Sequence, residues 1–224
     1  MLSVIIPALD EEESIGKVIS LAKKSLGGTQ SEIIVVDGES SDSTREVSKR
    51  AGARVVVERR RGYGNAYKRG ISVSRGEYVA LIDGDGTYPA GEIGPFLREL
   101  RKSGKSFLLA SRFSGKILPG AMGPANRFGN SILTALTNFL FSDNLSDSQS
   151  GFRIYRRNDL KRMRLSSGGM EFASELNCEG RRLGLSRIEV PIVYSKRKGR
   201  AKLNPIRDGL RHLVFLLGRR LGAF

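Results

Sequence analysis

Asp83 and Asp85 stand one glycine apart at the end of an apolar run, in the segment Tyr78–Pro89, YVALIDGDGTYP. Two hard oxygen ligands on a short turn suit Mg2+ or Mn2+ bridging to phosphates. Gly84 and Gly86 permit a tight turn and close approach by a ligand. Asp-Gly-Asp-Gly is also ordinary turn chemistry, and turn statistics alone leave the two readings level. The elements that carry these residues have to decide.

The first 110 residues alternate strand and helix patterns. Strands are expected at Leu2–Ile6, Glu32–Asp37, Ala53–Glu58, Glu77–Ile82 and Lys105–Ser111, with helices at Glu12–Leu26, Asp42–Ala51, Tyr63–Ser74 and Glu92–Lys102. That order predicts an α/β fold, a mostly parallel sheet with helices on both faces. Such sheets bind ligands at the carboxyl ends of their strands. Asp37, Asp83 and Asp85 all lie at such ends, which favours the functional reading over the plain turn.

From residue 112 the pattern changes. Ser114–Pro124 reads as a Gly- and Pro-rich loop, and Asn126–Phe141 as an amphipathic helix whose apolar side meets either the core or lipid. A strand is expected at Ser150–Tyr155, a helix at Gly169–Leu183 and a strand at Ser186–Val193. Asn204–Phe224 reads as a basic amphipathic helix that packs on the domain or lies at a membrane interface. Glu171 and Glu175, one turn apart, are either a second carboxylate pair or a solvated helix face.

Composition narrows the chemistry. The 224 residues carry a net charge of +15, which calls for an anionic partner: nucleic acid, anionic lipid or a phosphorylated small molecule. A single cysteine, Cys178, excludes an internal disulfide framework and fits a reducing cytoplasm; a single histidine, His212, argues against His-based zinc sites and Ser-His-Asp chemistry. No run approaches the ~20 apolar residues of a membrane span, and the N-terminus lacks the basic region of a signal peptide. Without zinc-finger spacing, an RNA-recognition motif or any tryptophan, a nucleic-acid-binding module is a remote alternative. GYGNAYKRG (62–70) is not a Walker loop, since it lacks the Gly-Lys-Ser/Thr ending.

Several patterns, in order, resemble family-2 glycosyltransferases, in particular the dolichyl-phosphate-mannose synthase-like and dolichyl-phosphate glucosyltransferase-like branch. They are VIIPALDEEESIG (4–16), VVDGESSDST (35–44), GYGNA (62–66) with Gly70, DGDGTYP (83–89), Ser111-Arg112-Phe113, DSQSGFRIY (147–155) and YSKRKGRAKLN (194–204). The resemblance covers nearly the whole chain. It implies a GT-A nucleotide-binding fold over residues 1–203, ahead of the basic amphipathic helix read at 204–224.

The resemblance also implies the roles. Pro7, Ala8, Glu11, Asp37, Gly62, Gly64, Asp83, Asp85, Arg197 and Lys202 would hold the nucleotide sugar. Asp83 and Asp85 would hold Mg2+ or Mn2+ and stabilise the departing nucleoside diphosphate, and Arg112, Arg127 and Ser131 would hold the acceptor phosphate. Asp83, Asp85, Arg112 and Arg127 make up the expected catalytic set. The implied reaction is inverting transfer of a hexose, from a GDP-mannose or UDP-glucose type of donor, onto a polyprenyl (dolichyl) phosphate at the cytoplasmic face of a membrane. A phosphate monoester is already anionic and needs cations rather than a general base. A soluble or glycan hydroxyl acceptor is the alternative. Asp37 is followed by Gly38 and Glu39 where the family more often has a second Asp. That departure leaves the base open, and Thr87 with Gly38 departs from the mannose-synthase pattern, which leaves the sugar open; Ala201 stands where the family commonly has Ser.

Overall fold

The structure, a computed structural model, describes residues 1–199 and 205–222. In chain order it runs β1 (Leu2–Ala8), α1 (Glu12–Leu26), β2 (Ser31–Asp37), α2 (Thr44–Arg50), β3 (Arg54–Val57), α3 (Tyr63–Val73), β4 (Tyr78–Leu81) and α4 (Ile93–Ser103). It continues with β5 (Phe107–Ile117), α5 (Pro124–Phe141), β6 (Arg153–Arg156), α6 (Arg157–Arg162), α7 (Phe172–Arg182), β7 (Arg187–Tyr194) and α8 (Pro205–Arg220).

One seven-stranded sheet has the order β3-β2-β1-β4-β6-β5-β7. β6 runs antiparallel to both of its neighbours, and the remaining pairs are parallel. The strands read as continuous apolar runs because both faces are covered. Val4 and Ile6 of β1, Ile33 and Val35 of β2 and Ala80 of β4 pack with α1 and α4. Their alternates Ile5, Ile34, Val36, Val79 and Leu81 pack on the other face with α3 and α7. Parallel register sets Ala8 beside Asp37 and Ile5 beside Leu81, so the ends of β1, β2 and β4 open onto one crevice.

Most differences from the expected elements are shifts of a few residues. One is more than that: the expected loop Ser114–Pro124 begins as strand, because β5 continues to Ile117 and pairs Lys116 and Ile117 with Val193 and Tyr194 after a register shift. Gly115 makes this pairing possible, since a Cβ there would lie 2.0 Å from the Ile192 carbonyl oxygen. The short α6 was not expected from the sequence at all.

The expected amphipathic helix is α5, and it is only partly core. Leu133, Leu136 and Leu140 pack with Phe215 and Leu216 of α8 and Cys178 of α7, while Phe128, Ile132 and Phe139 lie exposed. α8 likewise leaves Leu210, Val214 and Leu217 in solvent. Arg219 ties it to α7 through Glu175 at 2.9 Å. Among the described residues no helix is long and apolar enough to cross a membrane.

Candidate active site

The crevice is lined first by two loops that latch together. Asp10 and Glu39, after β1 and β2, adopt positive φ of 46° and 65°, a conformation non-glycine residues adopt mainly where their surroundings enforce it. Here the surroundings are hydrogen bonds: the Asp10 amide donates to Ser40 Oγ (3.0 Å), the Ser41 amide to Asp10 Oδ1 (2.7 Å) and the Glu39 amide to Asp37 Oδ2 (3.1 Å). Asp37 is fully buried and also takes Arg45 Nε at 2.6 Å. Pro7 and Ala8 form the floor beside it, and the Ala8 carbonyl accepts the Gly38 amide at 2.9 Å. Glu11 is nearly buried, and its amide donates to Thr44 Oγ1 at 2.7 Å.

Asp83 and Asp85 emerge beyond β4 as their spacing implied. Their partners come from distant parts of the chain. Oδ1 of Asp83 accepts the hydroxyls of Tyr63 (2.9 Å) and Tyr67 (3.1 Å), one turn apart on α3. Tyr67 in turn stacks on Phe172 of α7. Burial, and then the charge of Asp85, raise the Asp83 carboxyl from 3.8 to about 6, with the two tyrosine hydroxyls and Arg197 pulling the other way. Gly151 lies against its free edge, where a Cβ would sit 2.4 Å from Asp83 Oδ2.

Asp85 is saturated. Its Oδ1 accepts the amide (3.0 Å) and hydroxyl (2.6 Å) of Thr87, and its Oδ2 accepts Nε (2.8 Å) and Nη2 (2.5 Å) of Arg197. Burial disfavours the Arg197 charge, but Asp85, with Glu11 and Asp83 behind it, more than offsets this and holds its pKa above the ordinary value. The donor set is hard carboxylate oxygen, and a cation, the guanidinium, already sits on it. Both facts fit a small divalent ion. Among the described residues no group of three or more His, Cys, Asp or Glu could hold a metal alone. Asp83 and Asp85 would hold such an ion only with further ligands from substrate and water.

The glycines of GYGNA have a task within the chain. A Cβ on Gly62 (φ 132°) would lie 2.2 Å from the Gly168 carbonyl oxygen, and one on Gly64 would lie 2.4 Å from that of Ser167. The Gly64 and Asn65 amides donate to the carbonyls of Gly169 (3.2 Å) and Gly168 (3.1 Å). Their small size thus serves close packing of the 167–169 segment against α3.

On the expected acceptor side, Arg112 is buried and gripped by Asp147 through Nε–Oδ2 and Nη2–Oδ1, both 2.7 Å, beneath the Tyr194 ring. The Asp147–Gly151 turn is itself braced. Fully buried Arg153 donates to the carbonyls of Ser148 (2.8 Å) and Ser150 (3.0 Å), and Ser148 Oγ meets Thr134 Oγ1 of α5 at 3.0 Å. Arg127 and Ser131 sit on the same side of α5 as Thr134 but are exposed, with Ser131 Oγ donating to the Arg127 carbonyl at 3.0 Å. Seven residues of helix, about 10 Å, separate Arg127 from Thr134. The structure brings Asp83, Asp85, Glu11 and Arg197 together and leaves Arg127 and Ser131 outside that cluster. Lys202 lies outside the described residues.

The remaining candidates resolve as packing. Glu175 is buried and accepts the Ser166 and Ser167 amides (2.9 and 3.0 Å), so it caps a turn and is not part of a solvated face. Cys178 is buried, and burial pushes its thiol up to about 12, which leaves it un-ionised. Tyr63, Tyr67, Asp147 as the clamp on Arg112, and Gly151 were not assigned these tasks from the sequence. The i,i+4 pair of tyrosines in GYGNAY was the available signal.

Comparison with known proteins places this geometry. Residues 3–164 match the model for glycosyl transferase family 2. The chain belongs to that family, and its sheet with flanking helices is the GT-A fold. It is 38% identical over 219 residues to the low-salt glycan biosynthesis hexosyltransferase Agl6 of Haloferax volcanii, covering 96% of this chain and 53% of that protein. It is 32% identical over 210 residues to a dolichyl-phosphate hexose transferase of the same organism, covering 93% and 89%. The chain thus spans about half the length of Agl6 and most of the second relative. Glucosyl-3-phosphoglycerate synthase of Mycobacterium tuberculosis, solved with Mn2+, UDP and glucosyl-3-phosphoglycerate, superposes with a TM-score of 0.77 at 25% identity over 99% of this chain and 80% of that one.

Proposed function

We propose that this chain transfers a hexose, with inversion, from a nucleoside diphosphate sugar to a polyprenyl phosphate such as dolichyl phosphate, at the cytoplasmic surface of a membrane. The observation that carries the acceptor reading is the exposed face of α5. Arg127 makes no ion pair among the described residues, and the helix that carries it also exposes Phe128, Ile132 and Phe139, of which Phe128 is 70% and Phe139 82% exposed. A cation and exposed apolar side chains on one helix suit a phosphate carried on a hydrocarbon chain. The name of the 32%-identical relative supports the same class.

In this reading the loops after β1 and β2 hold the nucleoside, with Asp37 fixed by Arg45 and Glu11 by Thr44. A divalent ion, Mg2+ or Mn2+, held by Asp83 and Asp85 supplies positive charge to the departing diphosphate. Tyr63 and Tyr67 fix the rotamer of Asp83, and Thr87 fixes that of Asp85. Arg127, with Ser131 beside it, steers the acceptor phosphate toward the turn that Asp147 and Arg112 stiffen. Arg112 contributes positive potential from beneath, its fork already engaged by Asp147. Residues 1–203 form the transfer domain, and α8, within 204–224, joins α5 in meeting the bilayer interface.

The test is a donor screen. Radiolabelled GDP-mannose, UDP-glucose and UDP-N-acetylglucosamine are each offered with dolichyl phosphate, with and without Mn2+. Label entering the organic phase with one donor and only with metal is the expected result; no lipid-soluble label with any donor would sink the proposal. Transfer to a water-soluble phosphate or hydroxyl acceptor alone would point to the soluble-acceptor alternative.

A further inference from the structure

The Asp85 carboxylate has about four lone-pair sites, and all four are used. Thr87 supplies two donors to Oδ1 from within the same turn, and Arg197 supplies two to Oδ2 from across the chain. No lone pair remains for a further cation unless one partner leaves. Thr87 is held by the turn that carries Asp85. Arg197 sits on the segment that follows β7, which is joined to that turn by two backbone hydrogen bonds, Ser195 amide to Thr87 carbonyl (2.9 Å) and Lys198 amide to Asp85 carbonyl (3.2 Å). The guanidinium is the partner that can depart with the least disturbance.

We propose that Arg197 is a displaceable counter-ion: without a divalent cation it neutralises Asp85, and on arrival of metal with a nucleoside diphosphate it yields Oδ2 to the metal and turns its fork to the diphosphate. The inference rests on Asp85 being a metal ligand. A divalent ion sits at about 2.0–2.6 Å from a carboxylate oxygen, so it cannot share Oδ2 with two guanidinium N–H groups already within 2.8 Å. Exchange also keeps Asp85 neutralised. The three carboxylates Glu11, Asp83 and Asp85 gather round one guanidinium, and the incoming ion brings positive charge just as the guanidinium is drawn to the incoming phosphates. Two consequences follow. Metal binds weakly to the nucleotide-free protein because it must first evict Arg197. Metal and nucleotide bind cooperatively, because the diphosphate gives the evicted guanidinium a new partner.

The test reads Mn2+ binding directly, by titration calorimetry or by the electron paramagnetic resonance of free Mn2+, with and without UDP. Wild type, Arg197→Gln, Arg197→Lys and Asp85→Asn are compared. Arg197→Gln is expected to bind Mn2+ about tenfold or more tighter than wild type without UDP and to lose most of the cooperativity with UDP. Arg197→Lys, which keeps the charge but not the fork, should fall between. In wild type the Lys198 amide should exchange faster once Mn2+ and UDP are added. Equal or weaker Mn2+ binding by Arg197→Gln, with binding lost in Asp85→Asn, would overturn the proposal and leave Arg197 a plain structural partner. Unchanged Mn2+ binding in Asp85→Asn would instead remove the metal-ligand reading of Asp85, and the proposal with it.

Discussion

The Tyr67 hydroxyl, one helical turn beyond that of Tyr63, donates to Oδ1 of Asp83 at 3.1 Å, so a helix from the third βα unit sets the rotamer of a carboxylate that belongs to the fourth strand. Both bonds favour the ionised carboxylate, against burial and the charge of Asp85. The double variant Tyr63→Phe/Tyr67→Phe removes them while keeping the T-shaped ring contact. Hydrogen bonds to a charged group contribute roughly 1.5–3 kcal/mol each, and one pKa unit corresponds to about 1.4 kcal/mol. The Asp83 carboxyl of the metal-free protein should therefore move above about 6 by at least about one unit, read by titration of that carboxyl in chelator. An unchanged titration would show that these hydroxyls do not tune Asp83.

Asp83 also predicts a conflict between stability and function. Its folded value of about 6 lies above its ordinary 3.8, so the folded state binds this proton more tightly than the unfolded chain does. The group costs nothing at pH below about 4, where both states are protonated. Its destabilisation grows as pH rises from about 4 to 6 and is complete above that. Two units correspond to at most about 3 kcal/mol. Asp83→Asn, in chelator, should be more stable than wild type at pH 7 by on the order of 1–3 kcal/mol and equal to it at pH 4, as read by urea denaturation.

The Arg112–Asp147 clamp predicts the opposite behaviour. Both side chains are buried and joined by two parallel hydrogen bonds. Asp147→Ala leaves a buried guanidinium without its counter-charge, which costs roughly 3–5 kcal/mol. The variant should show that loss in urea denaturation, where Arg127→Ala, on the exposed side of α5, should stay within about 0.5 kcal/mol of wild type and lower use of the lipid acceptor.

His212 makes the docking of α8 sensitive to acid. Its Nδ1 meets Ser174 Oγ at 2.8 Å, and Gln149 Nε2 donates to the same hydroxyl at 3.2 Å. Burial lowers the His212 pKa below 6.5, while Glu171 and Asp208 pull it up by less. The folded state therefore takes up this proton less readily than the unfolded chain. Full stability is present above pH 6.5 and is lost as pH falls below it, toward the folded value. Protection of the α8 amides, corrected for the intrinsic slowing of exchange in acid, should fall between pH 7 and 5, and His212→Gln should flatten that dependence.

The exposed apolar rows predict membrane affinity. Phe139→Glu on α5 and Val214→Glu on α8 replace exposed side chains with charge, so folding should be preserved. Flotation with vesicles containing anionic lipid should show wild type bound and each variant released, with the binding weakened by salt. Equal flotation of the variants would place the contact elsewhere.

Local chemistry made much of this protein readable in sequence. The apolar runs of β1, β2 and β4, the helical spacing of Ile15, Val18 and Ile19, and the carboxylates at strand ends follow from periodicities set within a few residues. The mostly parallel sheet follows from their alternation. The opening of Ser114–Pro124 as strand did not show, because Gly115 signals a turn by itself and becomes a sheet residue only when Ile192 lies against it.

By itself the sequence determined where the acids stand, at the carboxyl ends of strands in an α/β sheet, and the +15 net charge that calls for an anionic partner. Only the tertiary structure decided what each acid faces. Asp83 receives tyrosines from α3, Asp85 a guanidinium 112 residues away, and Arg112 a carboxylate 35 residues on. The reason is physical. A strand-end carboxylate is positioned by backbone geometry that its neighbours dictate, whereas its hydrogen-bond partners are chosen by which strands the sheet brings side by side, and no local pattern records that order.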